Sequence, residues 1–154
     1  MILVIGYGNP LCGDDGIGTY AVERLDDDET LSHVDCLVVR QLTPELAETI
    51  SRVHVVIFVD AAYGETPGQI ACRELMPADE QPEAGPGAFT HHVNPTALLE
   101  SALFLYGQRP TAFLYTVTGE NFALGDAFSP AVEAAIPSLL EHLKARISQC
   151  MNLV

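Results

Sequence analysis

An apolar, β-branched run, Ile2-Leu3-Val4-Ile5, passes without a break into Gly6-Tyr7-Gly8-Asn9-Pro10-Leu11-Cys12-Gly13-Asp14-Asp15-Gly16. A helical period then begins at Ile17, with Tyr20, Ala21 and Leu25 following near a spacing of 3.6. A strand that ends in a glycine loop opening a helix is the first half of an α/β unit. It also fixes where chemistry can sit, because ligands of open α/β sheets bind outside the carboxyl ends of the strands.

The rest of the chain repeats the alternation. Strands are expected at residues 1–8, 34–41, 54–62, 69–75 and 111–118, and helices at 16–25, 44–52, 94–106 and from 129 onward. Val55-Val56-Ile57-Phe58-Val59 is apolar throughout, as in a strand covered on both faces. The strand at 69–75 reads as an edge. Thr43 and Pro44 have the residue types of an N-cap and first helical position. Leu98, Leu99, Ala102, Leu103 and Tyr106 are expected to share one face. In the last helix the stripe is Val132, Ala135, Ile136, Leu139, Leu140, Leu143 and Ile147, with Pro137 expected to kink or interrupt it. The expected fold is a three-layer α/β sandwich: a twisted, mostly parallel sheet, helices on both faces and one antiparallel edge strand. With 154 residues, no repeat and no linker, residues 1–154 are expected to form a single domain.

Composition narrows the partners. Seven Lys and Arg stand against 21 Asp and Glu, a formal charge of −14. Such a chain lacks the basic footprint that nucleic acid requires and is repelled by anionic membrane surfaces. The opening apolar run has no basic flank and is too short for a signal peptide or a span, so a cytoplasmic protein is expected. Cys12, Cys36, Cys72 and Cys150 form no CxxC pair and read as reduced thiols, with Cys36 and Cys72 packed as small apolar groups inside strands.

The first loop is not a dinucleotide fingerprint: Gly6 and Gly8 fit, but Leu11 stands where the third glycine belongs. Asp14 and Asp15 would also repel a pyrophosphate at the helix N-terminus. A Gly-Lys-Ser/Thr phosphate loop is absent. Helix capping and the helix dipole account for one of the two aspartates, with Asp14 the candidate cap. The second is then free to face outward as a hard oxygen ligand or a base. Asp60 ends the strand expected at the sheet centre, where it either caps the following turn or faces the same crevice as Asp15. His91 and His92 follow a Pro/Gly/acid-rich loop, residues 77–87, and precede the helix starting near Asn94. Two carboxylates and one imidazole on one rim make an open three-ligand site suited to a divalent metal such as nickel or zinc. HExxH, GxSxG and Asp-Thr/Ser-Gly signatures do not occur, and Cys12 has no basic sequence neighbour to activate it.

The series Ile5-Gly6-Tyr7-Gly8-Asn9-Pro10-Leu11-Cys12-Gly13-Asp14-Asp15-Gly16-Ile17-Gly18 resembles the N-terminal signature of the hydrogenase maturation proteases. The resemblance continues at Val59-Asp60-Ala61, Thr66-Pro67-Gly68-Gln69-Ile70, Thr90-His91-His92 and Ser129-Pro130, in order along nearly the whole chain. It implies a cytoplasmic endopeptidase that removes the C-terminal extension of a nickel–iron hydrogenase large-subunit precursor after nickel insertion. It also implies a nickel-contacting and catalytic set of Asp15, Asp60 and His92, with His91 as the register alternative. The nickel would arrive in the precursor rather than reside in the enzyme, which would act as a monomer. Two other readings remain: a non-catalytic chaperone that checks nickel loading, and a Rossmann-like nucleotide module with Arg40 as phosphate partner. The loop at 77–87 leads into His91-His92 and so is placed as a candidate specificity lid.

Overall fold

The computed structural model describes residues 1–77 and 93–152. In chain order the elements are β1 (Ile2–Tyr7), α1 (Ile17–Asp26), β2 (Asp35–Val39), α2 (Leu46–Ser51) and β3 (Val55–Ala62), followed by β4 (Ile70–Glu74), α3 (Pro95–Tyr106), β5 (Thr111–Thr118) and α4 (Pro130–Met151). The five strands form one sheet in the order β2-β1-β3-β5-β4, parallel except where β4 runs antiparallel to β5 at the edge. Strand β5 inserts between β3 and β4, so the helix that precedes it crosses back over the sheet. The architecture is the sandwich expected from the sequence.

Period two along the strands sorts the core into two layers. Ile2, Val4, Val55, Ile57 and Val59 pack with Ile17, Ala21, Val22 and Leu25 of α1 and Val132, Leu139, Leu143 and Ile147 of α4. Leu3, Ile5, Val56 and Phe58 face the opposite way, against Leu46, Ala47 and Ile50 of α2 and Leu98, Leu99 and Ala102 of α3. β1 and β3 contribute to both layers, which is why their sequences read as unbroken apolar runs. Each fully buried aliphatic or aromatic side chain contributes about 1.5–3 kcal/mol from removal of its surface from water.

Two glycines set how closely α1 approaches the sheet. A methyl group at Gly18 would stand 2.2 Å from the Val59 carbonyl oxygen, and one at Gly6 would stand 2.3 Å from the Gly18 carbonyl oxygen. Helix backbone therefore rests directly on strand backbone, one residue before Asp60 and three after Asp15.

Several local expectations give way to tertiary packing. α2 begins at Leu46 with Glu45 as its cap residue and no capping side chain. The Thr43 and Pro44 carbonyls instead accept from Leu46 and Ala47 in the turn before it. In α3, Leu103 and Tyr106 are exposed, because among the described residues the helix buries a narrower stripe of Pro95, Leu98, Leu99 and Ala102. α4 runs unbroken through Pro137, the one lost donor being outweighed by the helix's long buried stripe. Cys72 is exposed on the edge strand and Cys36 is partly buried, whereas Cys150 is the buried thiol. Residues 78–87 of the candidate lid lie outside the described residues. Among the described residues no helix is long and apolar enough to cross a membrane.

The Gly18 contact is the tightest test of this packing. Gly18→Ala is expected to lower unfolding free energy by about 3 kcal/mol, since neither backbone can yield without moving a core strand. Urea denaturation measures it, and a loss below about 1 kcal/mol would show that α1 has room to retreat.

Candidate active site

The order β2-β1-β3 means that the chain leaves β1 toward one side of the sheet and returns on the other. The crevice between the carboxyl ends of β1 and β3 is the topological switch point, where open α/β sheets bind ligands. The loop after β1 carries Asp14 and Asp15, and β3 carries Asp60 near its end. The structure brings Asp15 and Asp60 to this one crevice.

Asp14 and Asp15 are adjacent in sequence and opposite in role. Asp14 is fully buried and caps neither the turn Gly13–Gly16 nor α1. One carboxylate oxygen accepts from the Glu120 amide at 2.7 Å, the Asn121 amide at 3.0 Å and the Ser129 hydroxyl at 2.7 Å; the other accepts from the Ser129 amide at 2.8 Å. The Asp14 amide in turn donates to the Asn121 carbonyl at 2.9 Å. The expected N-cap of α1 is thus a pin between the first loop and the segment joining β5 to α4. Burial pushes its proton affinity up, but the hydrogen bonds from Asn121, Glu120 and Ser129 outweigh it and hold the carboxyl below the ordinary 3.8. The two loops are also stitched through backbone, Gly13 donating to Gly125 at 2.8 Å and Gly125 to Leu11 at 2.8 Å.

Asp15 is only partly buried, and its Oδ2 accepts from the Asn9 amide at 2.7 Å. The chain can fold back this tightly because Gly8 has φ 137°, and a methyl group there would stand 2.1 Å from the Asp15 carbonyl oxygen. Asp60 accepts from the Ala61 amide at 2.7 Å through Oδ1 and takes a second hydrogen bond from the Tyr7 side chain. Burial first, and the Asp15 charge second, push the Asp60 carboxyl up to about 7, against the pull of those two hydrogen bonds. No Lys or Arg among the described residues pairs with either carboxylate. Among the described residues the crevice therefore holds two close acids without a Lys or Arg counter-charge, one of them poised to exchange a proton near neutral pH. Hard carboxylate oxygens in that state fit a divalent cation entering from outside.

His91 and His92 lie outside the described residues, and among those described no three His, Cys, Asp or Glu side chains gather into a metal-sized group. Arg40 is exposed beside the same edge, just past β2. The sequence reading passed over Tyr7 altogether, although strand alternation alone puts it on the face of Asp60. It also gave no role to residues 119–128 and took Ser129 only as a helix start, because the link to Asp14 spans more than 100 residues and leaves no local signal. An exposed apolar rim completes the surroundings: Tyr63 packs on Phe122 with ring centroids 4.7 Å apart, and Leu124 and Leu11 stand on the two stitched loops.

The two aspartates are separable by stability. Asp14→Asn removes the charge and leaves one acceptor oxygen for four donors, so it is expected to cost about 3 kcal/mol in urea denaturation. Asp15→Asn keeps an oxygen for the Asn9 amide and is expected to cost less than about 1 kcal/mol. Because the folded value of Asp14 lies below the unfolded one, its stabilisation is complete above pH 3.8 and is lost as pH falls through the lower folded value. The difference between wild type and Asp14→Asn should shrink correspondingly in acid.

No protein-family model matches the chain, and no curated protein matches it significantly. Solved structures do. The hydrogenase maturating endopeptidase HybD from E. coli superposes with a TM-score of 0.76 at 27% identity, covering 97% of this chain and 93% of its own. The hydrogenase 2 maturation peptidase from a Thaumarchaeota archaeon gives a TM-score of 0.70 at 25% identity over 95% of this chain and 97% of its own. The [NiFe] hydrogenase maturation protease HycI from Thermococcus kodakarensis shares the fold, with a TM-score of 0.73 at 22% identity over 92% of this chain and 88% of its own. These likenesses run over almost the full length, so the chain is similar throughout to hydrogenase maturation endopeptidases, which are peptide hydrolases.

Proposed function

We propose that the protein removes the C-terminal extension of a nickel–iron hydrogenase large-subunit precursor, and that it recognises nickel already installed in that substrate. The observation that carries this reading is the Asp15–Asp60 pair, without a counter-charge, at the switch point of a fold shared with HybD over 97% of the chain. Asp15, Asp60 and His92 are the proposed contacts to the substrate's metal, with His91 as the alternative one residue earlier. The position of α3 supports a histidine there. The Asn94 side chain caps that helix by accepting from Ala97 at 2.7 Å, and α3 packs on the face from which Asp60 projects.

The chemistry follows from what two carboxylates offer. A water oxygen adds to the scissile carbonyl carbon and one carboxylate of the pair accepts its proton. The carbon–nitrogen bond then breaks and the proton passes to the departing amine. The precursor's metal supplies a positive centre that offsets the joint charge of Asp15 and Asp60 and orients the substrate against them. Two carboxylates and one imidazole hold a metal less permanently than a closed thiolate set, as suits a metal that leaves with the product. The acidic surface fits the same picture, since the partner is a protein rather than nucleic acid or a membrane.

Incubation with nickel-loaded precursor is expected to yield the shortened subunit on a gel and by mass spectrometry. Asp15→Ala, Asp60→Ala and His92→Ala are each expected to slow that step by about a hundredfold or more. Full cleavage by all three variants would remove the site assignment. Wild-type protein that binds the precursor and never shortens it would instead identify a non-catalytic check on metal loading.

A further inference from the structure

We propose that Tyr7 is a positioning residue for Asp60, its hydroxyl fixing the carboxylate in the one orientation that faces Asp15; the catalytic meaning of this rests on the function proposed above. The placement follows from the sheet. β1 and β3 are parallel with Gly6 level with Val59, which sets the next residues, Tyr7 and Asp60, side by side. Adjacent parallel strands lie about 4.8 Å apart. Leu3 and Ile5 on β1, and Val56 and Phe58 on β3, all face the α2–α3 layer, and alternation carries Tyr7 and Asp60 to that same face.

The tyrosine ring is itself held. It meets the fully buried Phe58 ring edge-on, with centroids 6.5 Å apart and planes at 84°. A fixed ring aims its O–H, and this one donates to the Asp60 carboxylate. With the Ala61 amide on Oδ1 at 2.7 Å, Asp60 has two donors that come from different strands and cannot turn together. An aspartate held by one donor can swing about its own side-chain bonds; one held by two cannot. Among the described residues Asp15 has the Asn9 amide alone as donor, so there Asp60 is the more tightly held member of the pair and Asp15 the more adjustable one.

A sheet-edge tyrosine whose hydroxyl merely found a partner would affect stability alone. Tyr7→Phe separates the roles, because it keeps the ring on Phe58 and deletes only the donor. With nickel-loaded precursor the variant is expected to show kcat about tenfold lower and KM unchanged. Side-chain three-bond couplings measured by NMR are expected to give one Asp60 rotamer in wild type and averaged values in Tyr7→Phe, with no substrate present. Unchanged couplings would overturn the proposal whether or not the wild-type protein cleaves anything. Averaged couplings with unaltered kcat would overturn the catalytic part. A wild-type protein that leaves the precursor uncut would count against the proposed function, while averaged couplings would still establish Tyr7 as the residue that positions Asp60.

Discussion

The carboxylate of Asp14 ties the first loop to the segment beyond β5, over and above the backbone bonds that stitch the two. Four donors from Glu120, Asn121 and Ser129 converge on it, and all lie beyond β5, more than 100 residues away in the chain. A buried carboxylate is costly unless its lone pairs are met, and here they are met almost entirely by backbone amides. Those amides would otherwise be orphaned themselves: two lie in an irregular segment and one opens α4, a helix start with no capping side chain of its own. One charge thus satisfies a loop and a helix terminus together. The neighbouring residue, Asp15, inherits a fixed position from this pin without contributing to it.

The consequence for the site is a division of labour between adjacent aspartates. Asp14 is anchored and its proton affinity held down, whereas Asp60 is drawn up to about 7 by burial and by the Asp15 charge. Folding would be easier with a cation between Asp15 and Asp60, and the ion pairs among the described residues join Lys and Arg to other acids. Local frustration of this kind persists where the surrounding structure over-determines it. The direct backbone contact of Gly18 with Val59 does so here, since α1 cannot withdraw Asp15 from the crevice without lifting off the sheet core.

What could be read from the sequence followed from local physics. Alternation of apolar strands with helical periods is a short-range signal, so the sandwich, the antiparallel edge and the strand-end position of Asp60 were all legible. Asp15 was legible because a loop between strand and helix opens on the ligand edge of any such sheet. The failures share a cause in long-range packing. Asp14 reads as a helix cap because its partners from residue 120 onward are invisible locally. Leu103 and Tyr106 read as core because a helical period does not say how wide a stripe the sheet will cover. Tyr7 was available in principle: once β1 and β3 are taken as parallel neighbours, register and alternation pair it with Asp60.

The manner in which the two acids are held bears on what they are held for. Among the described residues Asp15 is held through Oδ2 by the Asn9 amide, and Asp60 through Oδ1 by the Ala61 amide and by the Tyr7 side chain. Backbone donors fix a carboxylate without neutralising it, whereas an Arg or Lys partner would have done both. Neither acid is therefore neutralised by a Lys or Arg, and each keeps an oxygen that no backbone amide among the described residues occupies. A purely structural pair would gain by acquiring a cationic partner or by losing one of its charges, because like charges close together in a desolvated crevice oppose folding. A positive centre arriving with the substrate, as proposed above, would relieve that opposition. Orientation without neutralisation is what a site needs when its positive charge comes with the substrate, and in that respect the geometry of Asp15 and Asp60 agrees with the function proposed for them.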